Sequence, residues 1–288
     1  NFKAHYDKML KTAPYLYMWR NGRIVDSTGD FLTDVQNCTD CYEVVEGRDL
    51  KHVQGAYQAK DVRDSSFVNG ELGYENCECF PMPMKSAFNL NTYYGNDIYY
   101  SDFCMNANAN LFGCVGLKKS EYCILNKPYT KEEYVELMPR IIEHMKKMSE
   151  WGEFFPVELS PFDYEETNAH EFFPRTGKRA PVHSVPKAPY ELPDDINDAT
   201  ETILKGMLTC EACGKHYKVI RQEFELLKKF QLPIPHVCFE CRHRERGRFR
   251  KTRKLYERAC DGCGSAMQTN YSPDRPEKVY CESCYTKL

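Results

Sequence analysis

Eight of the fifteen cysteines fall into four Cys-x-x-Cys pairs, all after residue 209: Cys210/Cys213, Cys238/Cys241, Cys260/Cys263 and Cys281/Cys284. A Cys-x-x-Cys turn presents two sulfurs to one ion, and two such turns close a tetrahedral thiolate shell. The predicted chemistry is structural: two zinc ions, one for each set of four Cys. A catalytic zinc keeps a position open for water or substrate, and four thiolates leave none. His216, His236 and His243 lie near the pairs, but the complete Cys sets make them unnecessary as ligands. The alternative, a redox dithiol, lacks the surrounding βαβ pattern of thioredoxin-like proteins. Thiolates must stay reduced to hold metal, so the expected location is cytoplasmic.

Between the second and third pairs runs a basic stretch: Arg242, Arg244, Arg246, Arg248, Arg250, Lys251, Arg253, Lys254 and Arg258, against only Glu245 and Glu257. Residues 1–199 hold 21 Lys/Arg against 31 Asp/Glu, whereas residues 200–288 hold 18 against 11. This asymmetry predicts an anion-binding tail on an acidic body. Arg residues, with Phe249 and Tyr256 available to stack on bases, predict salt-sensitive and sequence-tolerant binding of RNA or DNA, as in a ribonucleoprotein assembly. A rival reading makes the stretch a strut in a protein–protein or self-assembly scaffold, its charges offsetting those of the thiolates. A third reading is a metal-dependent hydrolase or nuclease. It rests on Glu166, His170 and Glu171, which share a helical turn if "EETNAHE" is helical. There is no Gly-rich phosphate loop, no His-Glu-x-x-His and no nucleophile motif, so no catalytic residue is assigned.

The elements that position these residues are legible in outline. After Cys213, "HYKVI" predicts a short strand and Gln222–Phe230 a helix, ended by "LPIP" before the second pair. A helix after Cys241 carries the first Arg residues. In the second set, Tyr271–Asp274 predicts a turn and "KVY" a strand leading into Cys281. Upstream, "TKEEYVELMPRIIEHMKKMSEW" predicts an amphipathic helix with a Thr130/Glu133 capping box, kinked or broken at Pro139. EFFP occurs twice, at Glu153–Pro156 and Glu171–Pro174, and predicts extended aromatic segments over an apolar face. "KRAPVHSVPKAPYELPDD" reads as a Pro-rich linker.

Residues 35–125 show almost no helical periodicity. Asp or Asn followed by an apolar residue recurs at Asp40-Cys41, Asp49-Leu50, Asp61-Val62, Asn89-Leu90, Asp97-Ile98 and Asn110-Leu111. "DLKHVQGA" and "DVRDSSFV" align about twelve residues apart, which predicts stacked rungs of an irregular β-solenoid. The wandering spacing leaves an ordinary antiparallel β-domain open. Seven more Cys lie here. Cys38, Cys41, Cys77 and Cys79 would make a third zinc site; the alternative is small residues packed inside rungs. No apolar run is long enough to span a bilayer, and the first nineteen residues hold no signal-peptide core.

The first set, with Cys-x-x-Cys-Gly-Lys, then "EF", then Pro and Cys-x-x-Cys-Arg, resembles zinc-ribbon families. The second is similar to small ribbons ending in Val-Tyr-Cys-x-x-Cys. "LFGCVGLKKSEYCILNKPYTKEEY" and "WGEFFPVELSPFDYEETNAHEFFP" resemble large zinc-ribbon proteins of uncultured bacterial lineages, a resemblance that implies a domain plan but no activity. The expected architecture is mixed α+β and multidomain. A helix and loop occupy 1–34, a β-rich repeat body 35–125, a helix with aromatic segment and linker 126–199, and tandem zinc-ribbon or treble-clef units 200–288.

Overall fold

A computed structural model describes residues 1–106, 108–173 and 192–288. The linker expected around residues 178–195 lies mostly outside the described residues. The chain forms two compact units, Asn1–Pro161 with Thr252–Leu288, and Phe162–Lys251.

The first unit opens with helix α1 (Phe2–Thr12) and strand β1 (Pro14–Leu16). The body follows as β2 (Arg20–Val25), β3 (Gly29–Thr39), β4 (Cys41–Val45), β5 (Arg48–Lys51), β6 (Gln54–Arg63), β7 (Ser66–Tyr74), β8 (Met84–Ala87), β9 (Gly95–Tyr99), β10 (Asn108–Phe112), β11 (Glu121–Ile124) and β12 (Lys127–Pro128). The strands pair in parallel from β2 to β11, and only β12 turns back antiparallel. Registers such as Leu50↔Val62 and Met84↔Asn96 step by one rung each time. The body is therefore a β-solenoid of about 9 turns, not an antiparallel domain. It starts earlier than expected, because residues 20–34 form strands rather than a loop.

The repeat that builds it has a period of three, not the two of a flat strand. From Phe31 to Phe67 every third residue has a left-handed φ, as at Asp34, Asn37, Asp40, Asp49, Asp61 and Asp64. Asp and Asn tolerate this region better than most residues. The residue after each corner points inward and is buried, as Val35, Cys38, Cys41, Leu50, Val62 and Ser65 do. Each turn thus has four corners and four inward side chains. The Asp/Asn-apolar pairs of the sequence are these corner-plus-inward units, with one exception. At Asn89-Leu90 the corner is Phe88, and Asn89 itself points inward.

The core is mostly small aliphatic residues and Cys, with one polar column. Asn89 donates its amide to Asn76 Oδ1 at 3.0 Å and to the Ile98 carbonyl at 2.9 Å, and accepts from the Ser101 N–H at 2.9 Å. The column continues through the Cys114 N–H to Ser101 Oγ at 3.1 Å.

Helix α2 (Lys131–Lys147) closes the far end of the solenoid. Its Thr130/Glu133 capping box forms as predicted, but the helix runs unbroken through Pro139. Tyr134, Leu137, Met138, Ile141 and Met145 cover Phe112 and Ile124, whereas Met148 past the helix end is exposed. The first EFFP copy lies alongside, with Phe155 edge-on to Tyr100 at 6.4 Å. End turns of a solenoid need such covers. Tyr134→Ala is expected to lower the stability of this unit by about 3 kcal/mol in urea denaturation, the usual cost of emptying a buried aromatic site.

The second unit holds α3 (Asn168–Phe172), β13 (Leu208–Thr209), β14 (His216–Tyr217), α4 (Arg221–Phe230) and α5 (Phe239–Gly247). The second EFFP copy is thus partly helical, with Pro174 outside the described residues. The core here is small: Ile196, Ala199, Leu208, Val219, Phe224 and Ile234. Thr252–Leu288 rejoins the first unit with β15 (Tyr256–Ala259), β16 (Ala266–Thr269), β17 (Lys278–Tyr280) and the short α6 (Glu282–Tyr285). Among the described residues, no helix is long and apolar enough to cross a membrane.

Candidate metal centres

The eight pair cysteines gather into the two expected groups, Cys210/Cys213/Cys238/Cys241 and Cys260/Cys263/Cys281/Cys284. Within each group the sulfurs lie within 4.8 Å of one another. The groups belong to different compact units.

Both are built the same way. The β13–β14 and β15–β16 pairs are antiparallel, and each first Cys pair sits in the intervening turn. Cys210 N–H donates to the Lys215 carbonyl and Gly214 N–H to the Cys210 carbonyl, both at 2.9 Å; Cys260, Ser265 and Gly264 repeat both bonds at 2.9 Å. The turn needs a left-handed residue at its end, and Gly214 (φ 71°) and Gly264 (φ 74°) provide it without a Cβ clash. The second pair of each group opens a helix: Cys238 caps α5 and Cys281 caps α6. Cys238 N–H then donates to Cys210 Sγ at 3.2 Å, and Cys281 N–H to Cys260 Sγ at 3.3 Å.

The donor set fits a tetrahedral dication. A metal–sulfur bond of about 2.3 Å gives a tetrahedron edge of about 3.8 Å. Cys213 Sγ and Cys238 Sγ are 3.8 Å apart, as are Cys263 Sγ and Cys281 Sγ. All of these cysteines are free rather than disulfide-bonded.

The electrostatics point the same way. Burial works against a thiolate at Cys210, but the N–H groups of Cys238, Ala212 and Cys213 outweigh it and bring the thiol down to about 6. At Cys281 the Ser283 hydroxyl and the Cys284 N–H also bring it to about 6. Cys284 is pushed up to about 12 by the Cys263 and Cys281 sulfurs. At Cys213 the Lys215 N–H works downward but is outweighed by burial and by neighbouring sulfurs, giving about 12. Each group can ionise in part, and further ionisation is opposed by the charge already there. A dication removes that opposition.

None of the nearby imidazoles joins a group. His216 lies 3.3 Å from Thr209 Oγ1, His236 bonds Glu211 at 2.9 Å, and His243 bonds Glu171 at 3.1 Å. The third site is not assembled among the described residues. Cys38 and Cys41 share one turn, and the register carries Cys77 three rungs on, about 14 Å away at the usual strand spacing. Burial holds Cys77 at about 11 and Cys79 at about 12, as neutral thiols rather than ligands.

The basic stretch is not one rod. Helix α5 ends at Gly247, and the run then divides between the two units after Lys251. Most of its Arg side chains have partners in their own unit. Arg242 pairs with Glu223 at 3.2 Å, Arg248 with Glu245 at 2.8 Å and Arg250 with Glu171 at 3.7 Å. Arg253 pairs with Glu43 at 2.7 Å. Arg244 donates to Cys241 Sγ at 3.1 Å, where its charge offsets that of the thiolates. Arg246 lies over the Phe239 ring at 5.9 Å and Lys254 over Tyr256 at 5.0 Å. These acidic partners are mostly far away in sequence, so the sequence could not show them.

The acid–base trio is likewise not brought together. Glu166 accepts the Asp163 N–H, His170 Nδ1 is buried without a partner, and Glu171 turns to His243 and Arg250. Comparison of the chain with protein-family models, with curated proteins and with solved structures finds no match.

Proposed function

We propose that this chain is a zinc-stabilised scaffold protein, with zinc in both four-cysteine groups and protein contacts made by its solenoid. Soft thiolate sets of this geometry suit zinc, as in zinc ribbons and treble clefs. Each group combines a knuckle hairpin with a second Cys pair that opens a helix, an order compatible with either plan. Sulfur ligands of this kind favour a reducing, cytoplasm-like compartment.

The observation that carries the scaffold reading over the nucleic-acid reading is the internal pairing of Arg242, Arg248, Arg250 and Arg253. Each such pair competes with a phosphate contact for the same guanidinium, although exposed pairs contribute only about 0–1 kcal/mol. The solenoid flank instead exposes Phe80, Tyr94 and Phe103, side chains enriched where proteins meet.

One observation favours nucleic acid as a second reading. Phe239 and Phe249 are 64% and 83% exposed beside Arg246 and Arg248, a pattern suited to stacking on single-stranded bases. Anisotropy titrations with mixed-sequence RNA and DNA separate the two. The scaffold reading predicts Kd values weaker than about 1 μM at physiological salt. Tighter binding that weakens steeply with salt, and is lost on Phe249→Ala, would establish nucleic acid instead.

A further inference from the structure

The C-terminal four-cysteine group folds against the opposite end of its own chain. Strand β17 pairs in parallel with β1, setting Tyr15 opposite Val279 and Leu16 opposite Tyr280. Tyr15 and Tyr17 pack around Cys260, Met267, Tyr271 and Val279. The Thr269 hydroxyl donates to the Tyr17 carbonyl at 2.6 Å, and Asn270 bonds the buried carboxylate of Asp30. Arg253, only 5% exposed at its side chain, pairs with Glu43 and bonds Gln54. Asp30, Tyr42 and Gln54 are register partners on successive turns and Glu43 follows Tyr42, so the contacts step across three adjacent turns near the start of the solenoid.

A terminal turn has a neighbour on one side only, which makes it the weakest part of a solenoid. Residues 252–288 cover this end through Tyr17 and Asp30 and reach Glu43 and Gln54 on the turns behind them. That cover has a core of only four buried residues, Cys260, Met267, Tyr271 and Val279. A core of this size does not hold its own fold without a cross-link or a metal.

We infer that metal binding at Cys260, Cys263, Cys281 and Cys284 works as a clasp that locks the first turns of the solenoid. The inference rests on the metal reading above. Chain order alone would make this group a companion of the first; its contacts make it a fastening for residues 14–54. It is also the more accessible group: Cys263 is exposed, and Cys281 and Cys284 are half-buried. In the first group three of the four sulfurs are buried. A chelator therefore reaches the clasp first.

The test measures metal content and amide hydrogen exchange on the same full-length samples. Cys284→Ser is expected to lose one of two metal equivalents and to speed exchange across residues 29–45 roughly ten-fold, with residues 95–112 unchanged. Cys213→Ser is expected to lose one equivalent and leave residues 29–45 as they were. Coupling is reciprocal in binding free energy, so Arg253→Ala, which leaves all the sulfurs in place, should weaken zinc affinity several-fold at one site only, read by equilibrium competition with a chromogenic chelator. If Cys284→Ser loses its metal and residues 29–45 stay protected, the clasp is overturned and the metal reading survives. Wild-type protein without metal overturns both. If Cys284→Ser does not fold, the zinc affinity of Arg253→Ala decides, and an unchanged affinity overturns the clasp.

Discussion

Cys238→Ser is expected to release one metal ion and unfold the Phe162–Lys251 unit. The argument is one of size. Among its described residues this unit has six buried core residues apart from its cysteines, and its strands are two residues each. Its stability before metal is a few kcal/mol at most. Structural zinc contributes about 10–16 kcal/mol of apparent binding energy at neutral pH, so the fold depends on it. Cys238→Ser removes one of the four sulfurs but keeps the backbone N–H that meets Cys210 Sγ and a residue suited to the start of α5, so the loss reads the metal and not the helix cap. Limited proteolysis should show new cleavages within residues 192–251 and an intact solenoid. A wild-type digestion pattern together with lost metal would show that the unit stands without zinc.

Asn89→Leu should lower the stability of the solenoid unit by about 4 kcal/mol, since each buried group it strands costs about 1–3 kcal/mol. Leu keeps Asn's branching and heavy-atom count but is bulkier, so some overpacking adds to the loss. Most of the loss comes from polar groups: the Ser101 N–H is left without an acceptor, and Asn76 Oδ1 and the Ile98 carbonyl each lose a donor. Urea denaturation followed by tyrosine fluorescence measures the effect, with Glu71→Gln as an exposed control expected to stay within about 0.5 kcal/mol. An effect as small as the control's would mean that the column relaxes or admits water.

The parts of this molecule that were legible from sequence are those whose partners are close along the chain. The Thr130/Glu133 capping box spans three residues, and each Cys-x-x-Cys turn is local. The rung length showed in the match of "DLKHVQGA" to "DVRDSSFV", because Leu50 and Val62 are stacked neighbours. The period of three was harder to see. Its corners take Asp and Asn at many positions but Phe67, Lys85 and Tyr94 at others, so composition marks the corners unevenly. What could not be read were contacts between distant residues. The Arg run looked uncompensated because Glu43 is far from Arg253 in sequence. The second four-cysteine group looked like a companion of the first because nothing local ties Asn270 to Asp30.

Two thiolate-bound zinc ions underlie the fold of the second unit, the clasp on the first and the reading of both as structural. Native mass spectrometry of the intact chain tests this most directly. The account predicts two zinc ions per chain, retained at neutral pH, with four cysteines freed as each ion is removed. A chain that carries no metal when purified under reducing conditions, and takes up none when zinc is supplied, would contradict it.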